Sequence, residues 1–260
     1  MSKFQLPRRR FLTLGAAGFG SLLLGGCGDG LSESPDFESF LASAENLTYG
    51  SQRLLGGRRS LAREFSSTTV SPEFKVNGTH KPEGDEYAAL VESHFADWCL
   101  RVDGLVMKPL ALSLADLKAA PQRTQITRHD CVEGWSAIGK WQGPQLANVL
   151  NQAQLLPNAR FVVFHCADKY EEASDGNGQY YESIDLIDAF HPQTILAHSL
   201  NDAPLTVGHG APLRLRVERQ LGYKQAKYLM RIEITDRLDK IARGKGGFWP
   251  DRGYEWYAGI

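Results

Sequence analysis

Residues 126–136 read Ile-Thr-Arg-His-Asp-Cys-Val-Glu-Gly-Trp-Ser and place the thiol of Cys131 between a histidine and a tryptophan. A thiolate is a soft ligand that suits Cu, Zn, Fe–S or Mo centres. Zinc and iron–sulfur sites need several Cys or His at close spacing. The other cysteines are distant in sequence: Cys27, Cys99 and Cys166. If Cys131 binds a metal, most of the coordination has to come from a non-protein ligand, as in a metal held inside an organic cofactor.

Two other interpretations of Cys131 stay open at this point. A lone cysteine is more often a buried, inert side chain than a ligand. Alternatively, Cys131 is a nucleophile that His129 activates, with Asp130 as a neighbouring carboxylate. Adjacency in sequence does not by itself produce the geometry of a catalytic triad.

The first residues resemble a targeting segment. Pro7-Arg-Arg-Arg-Phe-Leu12 is followed by a weakly apolar stretch to Gly26, which predicts a twin-arginine (Tat) signal over residues 1–26. Such a signal implies the export machinery and a periplasmic or otherwise exported location, and it carries proteins that have already folded. Leu22–Cys27 resembles a lipobox, by which Cys27 would anchor the chain to a membrane; a chance cysteine after an ordinary cleavage site is the alternative. Residues 27–60 are typical of a linker, with one weak amphipathic turn.

The remaining residues, 61–260, have the length of one sizeable domain. Without residues 1–26, which hold four basic residues and no acid, 25 basic residues stand against 30 acidic ones. This mild negative charge argues against nucleic acid as a partner.

The elements of this domain alternate without a regular strand–helix order. Strands are predicted at 100–102, 161–164, 213–217 and 230–234, with the third half exposed. Short helices are predicted after the caps Ser113 and Ser183 and after Gly143-Pro144. The pattern is typical of an α+β domain with mixed sheets and short helices.

Two further segments could bind an anion. Gly208-His-Gly-Ala-Pro-Leu-Arg214 allows close backbone approach, and its arginine can form a fork onto a phosphate. Leu221-Gly-Tyr-Lys-Gln-Ala-Lys227 combines two lysines with a glycine. Each segment taken alone is better explained as a solvated turn beside a strand.

Together these segments resemble the sulfite oxidase family of molybdopterin enzymes, and within it the exported methionine-sulfoxide reductase type. The resemblance runs from about Ser71 to the C-terminus. It rests on the order and spacing of five motifs: Cys131–Ser136, Gly210–Leu215, Gly222–Lys227, Arg231–Glu233 and Tyr254–Tyr257.

The resemblance implies a sulfite-oxidase-type molybdopterin-binding domain with a molybdenum–molybdopterin cofactor. Cys131 would be the thiolate ligand of the metal and the catalytic residue. Arg214 would hold the pterin phosphate. The other residues implied to contact the cofactor are Asn77, Cys166, His209, Gln225, Ala226 and Lys227.

The sequence departs from the family pattern at several of these positions. His209 stands where the family often has Asn, and Cys166 where it has Thr. Sulfite-oxidising members carry arginines just after the metal-binding cysteine, whereas this chain has Glu133-Gly-Trp135. An acid at that place should repel sulfite, which favours an uncharged oxo donor or acceptor such as a sulfoxide.

No second sequence block for a haem domain is found, so we expect electrons to be exchanged with a separate partner, a membrane haem protein or a cytochrome. The alternatives are a non-catalytic exported lipoprotein that retains the fold, and the thiol enzyme that uses Cys131 and His129.

Overall fold

The computed structural model describes residues 35–57, 59–170 and 178–260. The chain divides into two compact units, Met1–Ser51 and Gln52–Ile260. The predicted signal and Cys27 lie outside the described residues, so both stay predictions. Within the described ranges, no helix combines the length and the apolar character that a membrane span requires.

The described residues form five α-helices and eleven strands. The helices are α1 (Pro35–Gly56), α2 (Asp85–Glu92), α3 (Leu114–Ala119), α4 (Leu146–Ala153) and α5 (Leu186–Ala189). The strands are β1 (Cys99–Gly104), β2 (Leu110–Ser113), β3 (Gln122–Cys131), β4 (Trp135–Pro144), β5 (Phe161–Lys169), β6 (Gln179–Asp185), β7 (Thr194–Ala197), β8 (Ser199–Leu200), β9 (Ala203–Pro204), β10 (Arg214–Val217) and β11 (Leu229–Thr235).

The strands form three mixed or antiparallel sheets. The largest has the order β2-β1-β11-β5-β6, in which only β1 and β11 run parallel. A second sheet has the order β3-β4-β8-β9, and β10 pairs with β7. The predicted α+β architecture with short helices therefore describes residues 52–260.

Most local predictions are confirmed. Ser113 caps α3 in a capping box with Asp116. The predicted helix after Gly143-Pro144 is α4, which buries Leu146, Val149 and Leu150 at helical spacing.

Two local predictions are wrong, and one segment has more structure than expected. Residues 27–60, predicted as a linker, include α1, which is 22 residues long, and their role as a linker stays a prediction. Ser183 lies inside β6, and Asp185 caps α5 instead, because β6 is buried on both faces. The strand at 213–217 is fully buried, so Arg214 and Arg216 are core residues and not solvated ones.

The β3–β4 hairpin places the central thiol. Cys131 is the last residue of β3 and pairs with Trp135, the first residue of β4. The tight turn between them requires a left-handed residue, which Gly134 supplies at φ 86°. A 3-10 turn, Gly222–Lys224, packs against β3, so two of the motifs meet there.

Candidate active site

A cleft of about 270 Å³ opens beside the β3–β4 turn and contains Cys131. Its walls combine backbone of glycine loops, a few charged groups and a group of aromatic rings. They are Asn77, Gly78, Cys131, Val132, Glu133, Asp168, Tyr170, Tyr180, Gly222, Tyr223, Gln225, Lys227, Trp249 and Tyr254. The fold thus brings together four of the predicted site residues: Asn77, Cys131, Gln225 and Lys227.

Cys131 is half-buried, and burial, followed by the charge of Glu133, raises the pKa of its thiol. Glu133 accepts a hydrogen bond at Oε1 from the backbone N–H of Gly78 at 3.1 Å and one at Oε2 from Nε1 of Trp135 at 2.9 Å. Burial opposes its ionisation, but these hydrogen bonds outweigh burial and lower the pKa of Glu133. The cleft therefore carries an ionised carboxylate next to the thiol.

The donor set around Cys131 fits a metal that brings its own ligands. Among the described residues, no group of three or more His, Cys, Asp or Glu is placed to hold a metal ion. A single thiol in a cleft of this volume leaves room for an organic ligand to supply the remaining donors.

Arg214 is a buried cation that forms no bond to a carboxylate of the described residues. Its Nη1 donates to the carbonyl of His209 at 3.0 Å and its Nη2 to that of Gln225 at 3.4 Å. In the part of the chain that is described, its Nε has no hydrogen-bond partner. Burial, together with the neighbouring charge of Arg216, lowers the pKa of Arg214 to about 9. A group of this kind is stabilised by an anion such as a phosphate.

Lys227, unlike the fully buried Arg214, lines the cleft and places a positive charge there. Its Nζ donates to the carbonyls of Asn77 at 2.7 Å, Thr79 at 2.5 Å and Gly208 at 2.9 Å. Burial, and then Arg214, lower its pKa to about 7, whereas the three carbonyls favour the ammonium form. All three ammonium protons of Lys227 are donated to backbone carbonyl groups. Lys227 can therefore act on a bound group through its charge and by holding residues 77–79 in place.

The two residues before Lys227 have different environments. Oε1 of Gln225 has no hydrogen-bond partner within the described ranges, while its Nε2 donates to the carbonyl of Gln220. Ala226 is buried and accepts a backbone hydrogen bond from Leu215. Gln225 is thus available to a ligand through its amide oxygen, and Ala226 only through its backbone.

His209 and Cys166 do not line the cleft. Nδ1 of His209 pairs with the Thr206 hydroxyl at 2.8 Å, and Nε2 donates to the carbonyl of Phe74 at 2.8 Å. Both ring nitrogens are therefore engaged, and His209 fixes the loop that leads to Asn77. Cys166 is fully buried, and burial raises the pKa of its thiol well above its ordinary value.

His129 is not placed as a base for Cys131. Its Nδ1 accepts a hydrogen bond from Nη1 of Arg216 at 3.0 Å. Burial, and then the charges of Arg216 and Arg214, hold the pKa of His129 well below its ordinary value. Nucleophilic activation needs the opposite arrangement, a lowered pKa at the thiol and a free base beside it.

Several cleft residues were not predicted from the sequence. Asp168 and Tyr180 come from β5 and β6, Tyr170 directly follows β5, and Trp249 comes from the turn before the C-terminal segment. None of these four residues lies in a short motif with Cys131. Tyr254, another residue of the cleft, belongs to the closing motif on which the family resemblance rests.

Comparisons with known proteins show the family of the chain. The family described as "Oxidoreductase molybdopterin binding domain" matches residues 88–241. A relative from Azospira oryzae, provisionally named protein-methionine-sulfoxide reductase subunit YedZ1, is 35% identical over 98% of this chain and 89% of its own length.

Two further relatives are named as the catalytic subunit MsrP of protein-methionine-sulfoxide reductase. The one from Ralstonia nicotianae is 33% identical over 66% of this chain and 54% of its own length. The one from Xanthomonas campestris pv. campestris is 33% identical over 68% and 56%. The chain thus spans about half the length of these two relatives.

Among solved structures, the sulfane dehydrogenase SoxCD from Paracoccus pantotrophus matches 54% of this chain and 39% of that chain, at 23% identity and a TM-score of 0.49. The family match covers more than half of the sequence and confirms the expected fold and enzyme class. The chain is therefore an oxidoreductase that belongs to the sulfite oxidase-type family of molybdopterin-binding domains.

Proposed function

We propose that this protein is an exported molybdenum-cofactor oxidoreductase that transfers an oxygen atom from a small, sulfoxide-type substrate. The observation that carries the proposal is the thiol of Cys131, which faces a cleft where no other described side chains can complete a metal site. In the proposal Cys131 is the protein ligand of the metal.

When bound, the cofactor supplies two-electron redox chemistry and an acceptor for oxygen. The chain's own residues bind and orient it. Arg214 offers a buried positive charge to the pterin phosphate, and Gln225 offers an unpaired amide oxygen. Lys227 holds residues 77–79 in place and adds a second charge.

The walls of the cleft favour a neutral sulfur substrate. Tyr170, Trp249 and Tyr254 offer ring faces and edges, which make favourable contacts with thioether sulfur. Ionised Glu133 disfavours an anion such as sulfite. The names of the relatives, protein-methionine-sulfoxide reductase, point to the same substrate class.

The proposal includes export and a separate electron donor. The Arg-Arg sequence near residue 8 supports export by the twin-arginine route, and Leu22–Cys27 supports a lipid anchor. Two of the relatives are named as catalytic subunits, which supports a redox partner on another chain, a membrane haem protein or a cytochrome.

The rival functions find less support. A thiol enzyme would need His129 as its base, but Arg216 occupies Nδ1 of that ring. A non-catalytic lipoprotein that keeps the fold would have no use for a buried Arg214 that bonds to no carboxylate in the described ranges, because such a charge costs stability unless an anion compensates it.

Metal and pterin analysis of protein exported from its own host tests the assignment. We expect about one molybdenum and one pterin per folded chain, and a Mo(V) signal in electron paramagnetic resonance that changes in Cys131→Ser. Cys99→Ser is the matched control, because Cys99 lies on β1 and outside the cleft. Folded protein without molybdenum would refute the proposal, and an unchanged Mo(V) signal in Cys131→Ser would refute the ligand.

The substrate is tested on the loaded protein with a viologen radical as electron donor. We expect turnover of neutral sulfoxides and no oxidation of sulfite above background. Sulfite oxidation faster than sulfoxide reduction would overturn the substrate class. Cell fractionation, with and without Cys27→Ser, tests the location and the anchor.

A further inference from the structure

We propose that the carboxyl group of Asp168 supplies protons to the cleft during turnover, and that Thr79 and Tyr170 connect it to solvent. This inference rests on the proposed sulfoxide reduction and adds a residue that the family resemblance does not include.

The position of Asp168 is the first argument. It lies on β5, is 3% exposed, and lines the same cleft as Cys131. Across the described residues, its Oδ1 has no hydrogen-bond partner. A buried carboxyl oxygen without a partner costs free energy, so a site that retains one has a use for it.

Two neighbouring hydroxyl groups lead from this carboxyl group outward. The Thr79 side chain lies close enough to both Asp168 and Tyr170 to lower the pKa of each, and both Thr79 and Tyr170 are half-buried. The carbonyl of Thr79 accepts from Nζ of Lys227 at 2.5 Å and from the Tyr228 hydroxyl at 2.8 Å. These bonds fix the backbone of Thr79 beside Asp168.

The surroundings of Asp168 keep a proton on it to a higher pH than is usual for an aspartate. Burial raises its pKa to about 6, while the Thr79 hydrogen bond and the charge of Lys227 oppose the rise. The titratable groups that face it are Lys227, Cys166, Tyr87, Tyr170, Tyr180 and Tyr228. A general acid works best when its pKa lies near the working pH, which this environment provides.

The chemistry requires such a group. Reduction of a sulfoxide breaks the S–O bond, consumes two electrons and two protons, and releases a thioether and water. The electrons come from the one-electron haem partner, in two steps. Asp168 gives up its proton, is reprotonated through Tyr170 and Thr79, and gives up a second.

The test compares Asp168→Asn with the wild type, both loaded, under the viologen assay. We expect molybdenum content to be unchanged and turnover to fall by on the order of 10²–10⁴-fold. Wild-type turnover should decline as the pH rises above about 6, where Asp168 loses its proton. The variant should lack this decline. Asp103→Asn, which pairs with Arg231 away from the cleft, is the control.

An infrared titration of the loaded protein gives a readout other than activity. The wild type should show a protonated carboxyl band that disappears around pH 6, and Asp168→Asn should lack it. Thr79→Val, which leaves the carboxyl group in place, should move the midpoint to higher pH, because the lost hydrogen bond favours the charged form.

Loaded Asp168→Asn with wild-type rate and pH profile would overturn this inference and leave the proposed function standing. If the carboxyl band of Thr79→Val disappears at the same pH as that of the wild type, the proposed connection of Asp168 to solvent through Thr79 is overturned. A loaded wild type that reduces no sulfoxide would instead refute the proposed function, and this inference with it.

Discussion

Arg216 donates a hydrogen bond from Nη1 to Nδ1 of His129 at 3.0 Å, and both side chains are completely buried. An arginine cannot accept this bond, so Nδ1 is the acceptor and the ring proton resides on Nε2. The ring is thereby held neutral, and a proton added to it would lie next to a cation. His129 is a structural element that links β3 to β10 through Arg216.

This pairing predicts a dependence of stability on pH. The pKa of His129 in the folded protein is well below the ordinary histidine value of 6.5. As the pH falls below 6.5, the imidazole therefore takes up a proton in the unfolded chain but stays neutral in the folded one. Stability is then lost as the pH falls, by about 1.4 kcal/mol per pH unit for one histidine. In His129→Gln the free energy of unfolding, measured by urea titration, should fall less steeply with decreasing pH.

The comparison uses the slope and not the absolute stability, because the substitution also changes packing. Thr127→Val, a buried and non-titrating position on the same strand, is the control and should keep the wild-type slope. Equal slopes for His129→Gln and the wild type would show that the ring does not titrate as argued.

Gly222 gives a second prediction, on the contact between the 3-10 turn and β3. A Cβ at this position would lie 2.6 Å from Nε2 of His129 and 3.2 Å from the carbonyl of Asp130. Gly222→Ala should therefore displace Tyr223 and Gln225 from the cleft, costing about 1–3 kcal/mol. Molybdenum content and urea unfolding measure both effects.

The control for this change is Gly50→Ala in α1, where an added Cβ meets no atom within 4 Å. It should leave the metal content unchanged and stabilise the helix by roughly 0.5–1 kcal/mol. Full metal content in Gly222→Ala would mean that the turn does not help to hold the cofactor.

Short sequence patterns were enough to predict the secondary-structure elements that are determined by residues close together in the chain. The cap at Ser113 and the amphipathic spacing of α4 each depend on residues within a few positions of one another. The same holds for the motifs that carry the family resemblance, since each is a short, continuous stretch of sequence.

Burial of charged residues could not be predicted in this way. Arg216 and Glu218 alternate with apolar residues, which is the pattern of a half-exposed strand. Their bonding partners, His129 and Gln125, lie about 90 positions earlier in the chain. Asp168 and Trp249 reach the cleft for a similar reason, through strand pairing and chain reversal that no short pattern encodes.

Lys224 and Glu182 give a third prediction. Nζ of Lys224 lies 2.6 Å from Oε2 of Glu182, and neither side chain is exposed. Removal of one partner leaves the other as a buried, unpaired charge, so Lys224→Met should destabilise the fold by about 3–5 kcal/mol. Urea unfolding measures the loss.

The double variant Lys224→Met, Glu182→Leu should recover much of this loss, because it removes both charges. Arg237→Ala, which breaks an exposed pair with Asp239, is expected to change stability little. A Lys224→Met protein as stable as the wild type would show that the pair is not ionised in the fold.

Glu133 sets the charge that a substrate meets beside Cys131, and it gives the last prediction. Its carboxylate is held by Gly78 and Trp135, and its pKa is lowered, so it is ionised across the neutral range. Because like charges a few ångströms apart repel by about 1 kcal/mol or more near a surface, Glu133→Gln should raise kcat/KM for an anionic sulfoxide roughly fivefold or more. The value for a neutral sulfoxide of equal size should change much less. Glu92→Gln, at the end of α2, is the control. A charge effect must depend on the charge of the substrate. If kcat/KM changes equally for the anionic and the neutral sulfoxide, a residue other than Glu133 selects against anions.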